Sequence, residues 1–183
     1  MRVKLLPHYT LEDWENWEGR WELIDGIPYA MSPMPTPRHQ LVSTNIARLL
    51  AQELEKCEKC VSLISIDWVV SEDTILEPDN LIVCSEDLER DLFSKKRLEF
   101  PPVAVFEVLS PSTREKDRIT KFQIYEEQGV KYYLMIDPDT EEVEAYELKD
   151  GKYELVGKYQ KEGEFLFDLD GCRAKLNFSN IWR

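Results

Sequence analysis

The chain is 183 residues long, with 43% hydrophobic and 32% charged residues, 36 Asp plus Glu against 23 Lys plus Arg, and a net charge of −13. That much apolar material excludes a chain disordered throughout, and the length suits one domain able to bury a core without staples. The acidity argues against a protein that coats nucleic acid or an anionic membrane electrostatically, because its average field repels polyanions.

Met1 to His8 has a basic flavour, but Thr10, Glu12 and Asp13 cut it off before any long apolar stretch, so no secretory signal is expected. No apolar run approaches the ~18–20 residues that span a bilayer. The expected compartment is therefore the cytoplasm, with no membrane partner. Thr10 reads as the N-cap of a short helix, with Asp13 where a carboxylate closes the box. Trp21–Ile24 and Ile27–Met31 flank Asp25-Gly26 and read as a hairpin. Trp14, Trp17 and Trp21 recur at helix-like spacing in an acidic segment, which fits packing or a subunit contact better than binding a polyanion. Ser32-Pro33-Met34-Pro35-Thr36-Pro37 is too proline-rich for regular structure and reads as a connector. Thr36-Pro37 then opens a long amphipathic helix reaching Glu55 or Lys56, with Val42, Ile46, Leu49, Leu50 and Leu54 on one stripe.

Cys57-Glu58-Lys59-Cys60 has the spacing of a redox motif or half a zinc site, but no second CxxC follows, and the only histidines are His8 and His39. The pair falls at the end of the helix, so a structural role is expected and zinc is not. After it the period changes to two: Ile64, Ile66, Trp68 and Val70 alternate with Ser65, Asp67 and Val69, as in one half-buried strand. Leu81–Cys84 and Val103–Phe106 are unbroken apolar runs, the pattern of strands covered on both faces. Ser85 to Arg97 between them is a polar loop or short helix. A helix from Ser112 or Thr113 to Gln128 stops at Gly129, and Tyr132–Ile136 is a further apolar strand. Turn signals at Asp137–Thr140 and Lys149–Lys152 separate Val143–Leu148, Tyr153–Tyr159 and Phe165–Leu169, a meander within the same sheet or flanking it. The expectation is a single domain over 1–183, with about 140–183 as a β-rich extension. Its class is α/β or α+β, one mixed central sheet flanked by helices.

The sharpest local feature is Glu107, which interrupts the apolar run Val103–Leu109. A carboxylate there is costly unless paired, hydrogen-bonded or bound to metal; the alternative is a strand-end acid facing solvent. Asp79 follows Pro78 and precedes Leu81–Val83, so it stands at the mouth of a second core strand, although Pro-Asp-Asn is also good turn chemistry. Two acids at the ends of neighbouring strands can converge on one hard cation such as Mg²⁺, which activates water and stabilises charge on a phosphodiester. Arg114, Asp117 and Lys121 share one helical face, opposite Ile119 and Phe122. Helical spacing alone favours a solvated face held by the Asp117–Lys121 pair. Ser110 and Ser112 lie in a proline-rich turn with no histidine near in sequence, so they suit helix capping better than nucleophilic catalysis.

Pro78-Asp79, then Glu107-Val108-Leu109-Ser110-Pro111-Ser112-Thr113, then Asp117, Lys121, Tyr125, Gly129-Val130-Lys131-Tyr132-Tyr133 and Asp137-Pro138 form an ordered set. With Trp21-Glu22-Leu23-Ile24-Asp25-Gly26 and His39 upstream, the set resembles a family of uncharacterised bacterial restriction-endonuclease-like proteins in the PD-(D/E)XK nuclease superfamily. The resemblance spans about residues 10 to 150. It implies an αβββαβ core, to which the C-terminal β-meander is added, and Asp79 and Glu107 as ligands of Mg²⁺ or Mn²⁺, with the Val108 carbonyl a further candidate ligand. It further implies Glu22 as an additional acidic site residue and cleavage of nucleic acid, DNA first, by a homodimer. The superfamily pattern has a lysine two residues after the second acid; here that residue is Leu109, and the lysine role passes to Lys121 on the following helix. Two rivals remain: a non-catalytic interaction protein on the same fold, and an enzyme acting on another phosphate-containing substrate. The acidity itself is uneven. Glu12 to Asp25 holds six acids against Arg20, whereas Arg90–Arg97 and Arg114–Lys121 are net basic and flank the proposed centre. The charge therefore predicts a narrow footprint and a need for divalent metal.

Overall fold

The unbroken apolar runs become the middle of a six-stranded sheet, since only a strand covered on both faces can do without polar residues. The computed structural model describes residues 5–31 and 35–183. The expectations for Met1–Lys4 and for Ser32, Pro33 and Met34 of the connector lie outside the described residues. In chain order the elements are α1 (Leu11–Trp14), β1 (Trp21–Ile24), β2 (Ile27–Ala30), α2 (Pro37–Leu54), β3 (Cys60–Ile64), β4 (Trp68–Ser71), β5 (Thr74–Leu76), β6 (Asn80–Cys84), β7 (Ala104–Val108), α3 (Phe122–Glu127), β8 (Tyr132–Asp137), β9 (Glu142–Lys149), β10 (Lys152–Gln160), β11 (Glu164–Asp168) and β12 (Arg173–Asn177). π-Helical stretches cover Glu89–Phe93 and Lys116–Lys121, the second running directly into α3.

The large sheet has the order β10-β9-β8-β7-β6-β3, and a four-stranded sheet has the order β2-β1-β5-β4. Within the large sheet only β7 and β8 run parallel. A parallel pair needs a crossover, and the helical segment ending in α3 supplies it. Apart from the excursion of β4 and β5 into the small sheet, α2, β3, β6, β7, the crossover helix and β8 give the expected αβββαβ succession.

α2 starts where Thr36 accepts a hydrogen bond from the His39 N–H at 3.2 Å, with Pro37 at the first helical position. Its buried stripe of Val42, Ile46, Leu50 and Leu54 packs with Phe165, Phe167, Ala174 and Leu176 over one face of the sheet, against Phe106, Val108, Leu134 and Ile136. The opposite face carries Val105, Leu109, Tyr133 and Met135 and is covered by Ile24, Trp68, Leu76 and Tyr125. Asp25 and Gly26 both have positive φ, as do Asp150 and Gly151, so both hairpins turn through the mirror-image geometry that favours Asp-Gly.

Two expectations need correcting. The alternating run Ile64–Val70 is not one strand: at Ser65 (φ 45°) the chain leaves β3 in the large sheet and enters β4 in the small one, leaving Ile64 61% exposed and Trp68 buried. A period of two reports alternation and says nothing about which sheet a strand joins. The C-terminal third is also not a single meander. β9 and β10 extend the large sheet, while β11 pairs with β12, a strand missed in the sequence although Arg173–Asn177 alternates polar and apolar side chains. Cys57 and Cys60 have the structural role expected of them, as disulfides with distant partners: Cys57 to Cys172, which ties the end of α2 to the β11–β12 turn, and Cys60 to Cys84, directly opposite on β6.

Candidate active site

The register of β6 and β7 builds the centre. Asn80 stands opposite Phe106, so Asp79 reaches the end of β7, where the Val108 N–H donates to Asp79 Oδ2 at 2.8 Å. Glu107 lies on the face that carries Val105 and Leu109, and is 3% exposed. It is therefore not a strand-end acid turned to solvent. Glu22, in the middle of β1, enters the same space from the small sheet and is 1% exposed.

Lys121 closes the cluster. Its Nζ lies 2.9 Å from Glu22 Oε2, 3.3 Å from Glu107 Oε1 and 3.7 Å from Asp117 Oδ1. Asp117 and Lys121 do share one helical face, but it is the buried one, and Ile119 is 54% exposed. The solvated-face expectation is overturned because the inward face meets carboxylates, and an ammonium group among them is more stable than an isoleucine. The π-helical stretch carries both residues, a widened geometry frequent at functional sites.

Each member of the cluster is held from behind. Glu22 accepts from Lys116 Nζ at 2.9 Å and from the Glu77 N–H at 2.8 Å. Glu107 Oε1 accepts from the Tyr125 hydroxyl at 2.8 Å, and the Tyr133 hydroxyl donates to the Asp117 carbonyl at 2.7 Å. His39, on the first turn of α2, places Nε2 3.4 Å from Asp79 Oδ2. Both carboxylate oxygens of Asp117 are buried with no hydrogen-bond partner among the described residues.

The charges do not balance evenly. Burial pushes the Glu107 carboxyl well above the usual carboxylate range; Lys121 opposes the rise, and Asp117, Asp79 and Glu22 add to it. Burial likewise pushes Asp117 up to about 6 against the pull of Lys121. Burial acts on Glu22 in the same direction, but Lys121 and Lys116 outweigh it and hold Glu22 below its ordinary value. Burial works against the Lys121 ammonium, yet Glu107, Glu22 and Asp117 keep its pKa well above the ordinary lysine value. One cation is thus shared by three acids, and the proton-binding capacity of the site resides on Glu107 and Asp117.

The structure brings all four expected site residues, Glu22, Asp79, Glu107 and Lys121, into one neighbourhood. Asp117 and Lys116 were not expected as site residues. Asp117 showed in the sequence only within the ordered set and as the i, i+4 partner of Lys121, and Lys116 left no trace there. Arg114 donates to Asp137 Oδ2 at 2.7 Å, so its cation is engaged by an acid at the end of β8. The hydroxyls of Ser110, Ser112 and Thr113 contact one another, with Ser110 Oγ 2.9 Å from Thr113 Oγ1, a loop-capping arrangement.

Asp79 and Glu107 are hard oxygen donors on adjoining strands, with the Val108 backbone beside Asp79, and Asp117 adds two oxygens lacking hydrogen bonds. That donor chemistry fits Mg²⁺ or Mn²⁺, which take few protein ligands and complete their shell with water. Among the described residues no three His, Cys, Asp or Glu side chains are grouped as a metal cage. In this arrangement the Lys121 ammonium supplies the positive charge.

Residues 8–171 match the model of the Uma2 family, described as "Putative restriction endonuclease". An uncharacterised protein of Synechocystis sp. is 30% identical over 161 residues, covering 84% of this chain and 82% of that protein. The crystal structure of a "putative nuclease belonging to DUF820" from Anabaena variabilis superposes with a TM-score of 0.70 at 15% identity, covering 94% of this chain and 97% of that one. At that identity the likeness concerns the fold.

Proposed function

Because this chain belongs to the Uma2 family, and because its buried acids gather around Lys121 beside Asp79, we propose that it is a metal-dependent nuclease hydrolysing phosphodiester bonds of nucleic acid, DNA first. The observation that carries the reading is the position of Lys121 Nζ within 3.7 Å of Glu22, Glu107 and Asp117. A fully buried lysine held by three acids is expensive to maintain for stability alone, and strongly shifted groups concentrate at functional sites.

Asp79, Glu107 and the Val108 carbonyl would hold Mg²⁺ or Mn²⁺, which supplies an acidified water and charge stabilisation on the phosphate. Lys121 orients the attacking water and neutralises the phosphate oxygen. Glu22, tied to Lys116 and to the Glu77 N–H, fixes the Lys121 ammonium. His39 keeps the Asp79 carboxylate aimed into the centre. A homodimer, with one site per strand, suits cleavage of a duplex, and the cytoplasm is the proposed compartment. Two disulfides are uncommon in cytosolic proteins outside hyperthermophiles, which narrows the source for which that placement holds.

The test is cleavage of a labelled oligonucleotide with Mg²⁺ or Mn²⁺ by the intact protein and by Asp79→Asn, Glu107→Gln and Lys121→Met. Each substitution is expected to lower the rate ~100-fold or more; undiminished metal-dependent cleavage in all three would sink the site assignment. A second reading, a non-catalytic interaction protein, is favoured by Leu109 at the superfamily lysine position and by a Lys121 already saturated with acids. Calorimetry decides between them: no heat of Mg²⁺ or Mn²⁺ binding by the folded protein favours the second.

A further inference from the structure

A cleft of about 530 Å³ opens beside the connections between the two sheets, lined among others by Trp14, Trp17, Trp21, Arg20, Arg97 and Asp67. The helical spacing of the tryptophans led to an expectation of packing, and they are indeed half-buried, but their rings also wall an open space. Trp14 Nε1 donates to the Trp21 carbonyl and Trp21 Nε1 to the Glu18 carbonyl, each at 2.8 Å. Trp17 sits edge-on between Tyr9 and Trp21, with ring centroids 5.2 and 5.8 Å away. With two of the three indole N–H groups consumed internally, the tryptophan rings themselves offer apolar and π surface, held rigid by their own bonds, in a cleft whose remaining lining is polar.

The charges in the cleft are largely spoken for, with one exception. Arg97 donates to Glu15 at 2.7 Å, its guanidinium 5.1 Å from the Trp14 ring centroid, and Arg20 Nε donates to Glu77 at 3.0 Å. Asp67 is half-buried, and no described residue donates a hydrogen bond to its carboxylate or forms an ion pair with it. Its backbone is fixed, because the Leu98 N–H donates to the Asp67 carbonyl at 3.0 Å. The cleft therefore presents tryptophan rings, two arginine–glutamate pairs and one carboxylate, Asp67, that no described residue engages, with no uncommitted cation for a phosphate. The cleft also backs onto the acid–lysine cluster: Glu77 holds Arg20 with its side chain and Glu22 with its N–H.

We propose that this cleft binds an unstacked guanine of single-stranded nucleic acid, stacked on the tryptophan walls with its paired N1–H and N2–H donors on the Asp67 carboxylate. Stacking accepts any base, so the choice of base rests on Asp67. Of the common bases guanine alone offers two adjacent N–H donors to a carboxylate fork; uracil and thymine flank their single N–H with carbonyls, and adenine and cytosine set a donor beside an acceptor. A quaternary ammonium ligand would also gain from the aromatic walls and the Asp67 carboxylate, so choline is the competing probe. The inference rests on the nuclease reading for its class of ligand, and it adds base selection next to that site. Because Arg20 and Arg97 are already paired, binding is expected to depend weakly on salt.

The test is titration of tryptophan fluorescence in EDTA, where cleavage cannot contribute, with guanosine, inosine, uridine and choline as probes. Guanosine is expected to bind roughly tenfold more tightly than inosine, which lacks the exocyclic amine. Asp67→Asn is expected to erase that difference while leaving the melting temperature unchanged. Equal binding of guanosine and inosine, binding of choline in preference to guanosine, or a preference that survives Asp67→Asn would each overturn the proposal. Should Asp67→Asn fail to fold, the comparison of guanosine with inosine on the intact protein still decides. Guanosine preference in a protein that cleaves neither DNA nor RNA supports the cleft and removes the nuclease reading; cleavage without that preference does the reverse.

Discussion

The two faces of the large sheet are both buried, yet by opposite means. One meets α2 and the β11–β12 pair through Ile46, Leu50, Phe106, Phe167 and Leu176, an interior with almost no charge. The other meets the small sheet and the π-helical crossover, and there Glu22, Glu107, Asp117 and Lys121 are all at most 3% exposed. An apolar interior gains stability from every atom it removes from water. A charged interior at best balances desolvation against attraction. The difference separates the scaffold from the chemistry: β7 sends Phe106 and Val108 to the first face and Glu107 to the second.

The contrast can be broken by substitution. Lys121→Met leaves three acids facing one another without their cation and is expected to cost about 4–5 kcal/mol at pH 7. Lowering the pH toward 4 should shrink that cost, because protonation removes the uncompensated charges; chemical denaturation at both pH values measures it. Phe167→Ala, on the apolar face, is expected to cost about 3–4 kcal/mol. Phe167 packs 5.6 Å from Phe106 and 5.3 Å from Tyr132, ring centroid to centroid, contacts that involve no carboxylate or cation. The loss should therefore be the same at both pH values, and a strong pH dependence would contradict the separation of the two faces.

The smallest expected effect has the opposite sign. The folded-state pKa of Asp117, about 6, exceeds its unfolded value, so the folded state binds the proton more tightly. Stability linked to this group is complete below the unfolded pKa and is lost as the pH rises through about 6. Asp117→Asn keeps the shape and removes the titration. In EDTA it should stabilise the protein by roughly 1–2 kcal/mol at pH 7 and hardly at all at pH 4. Thermal melts across this range check it, and equal effects at both ends would show that Asp117 is not held in a raised state.

Much of the scaffold was legible because it follows from local chemistry. The Thr10–Asp13 box, the Asp-Gly turns, the Thr36-Pro37 start of α2 and the unbroken apolar strands each state their structure within a few residues. The ordered acids and Lys121 were legible too, through resemblance more than through spacing. Other features had no local signature. The break at Ser65, the pairing of Cys57 with Cys172 and the separate β11–β12 sheet each depend on partners far along the chain. The convergence of Asp67 with three tryptophans depends on the joining of two sheets.

Length, composition and pattern by themselves determined a mixed α/β class with acids near the ends of its core strands. Only the tertiary structure decided which helix face turns inward. By hydrophobicity alone Ile119 belongs inside and Lys121 outside; the reverse holds because Glu22 and Glu107, from two different sheets, meet the ammonium group within 3.3 Å. The same holds for the charge of −13. As a sum it argued against a nucleic-acid partner, but a sum has no geometry, and folding buries several of those negative charges around one lysine.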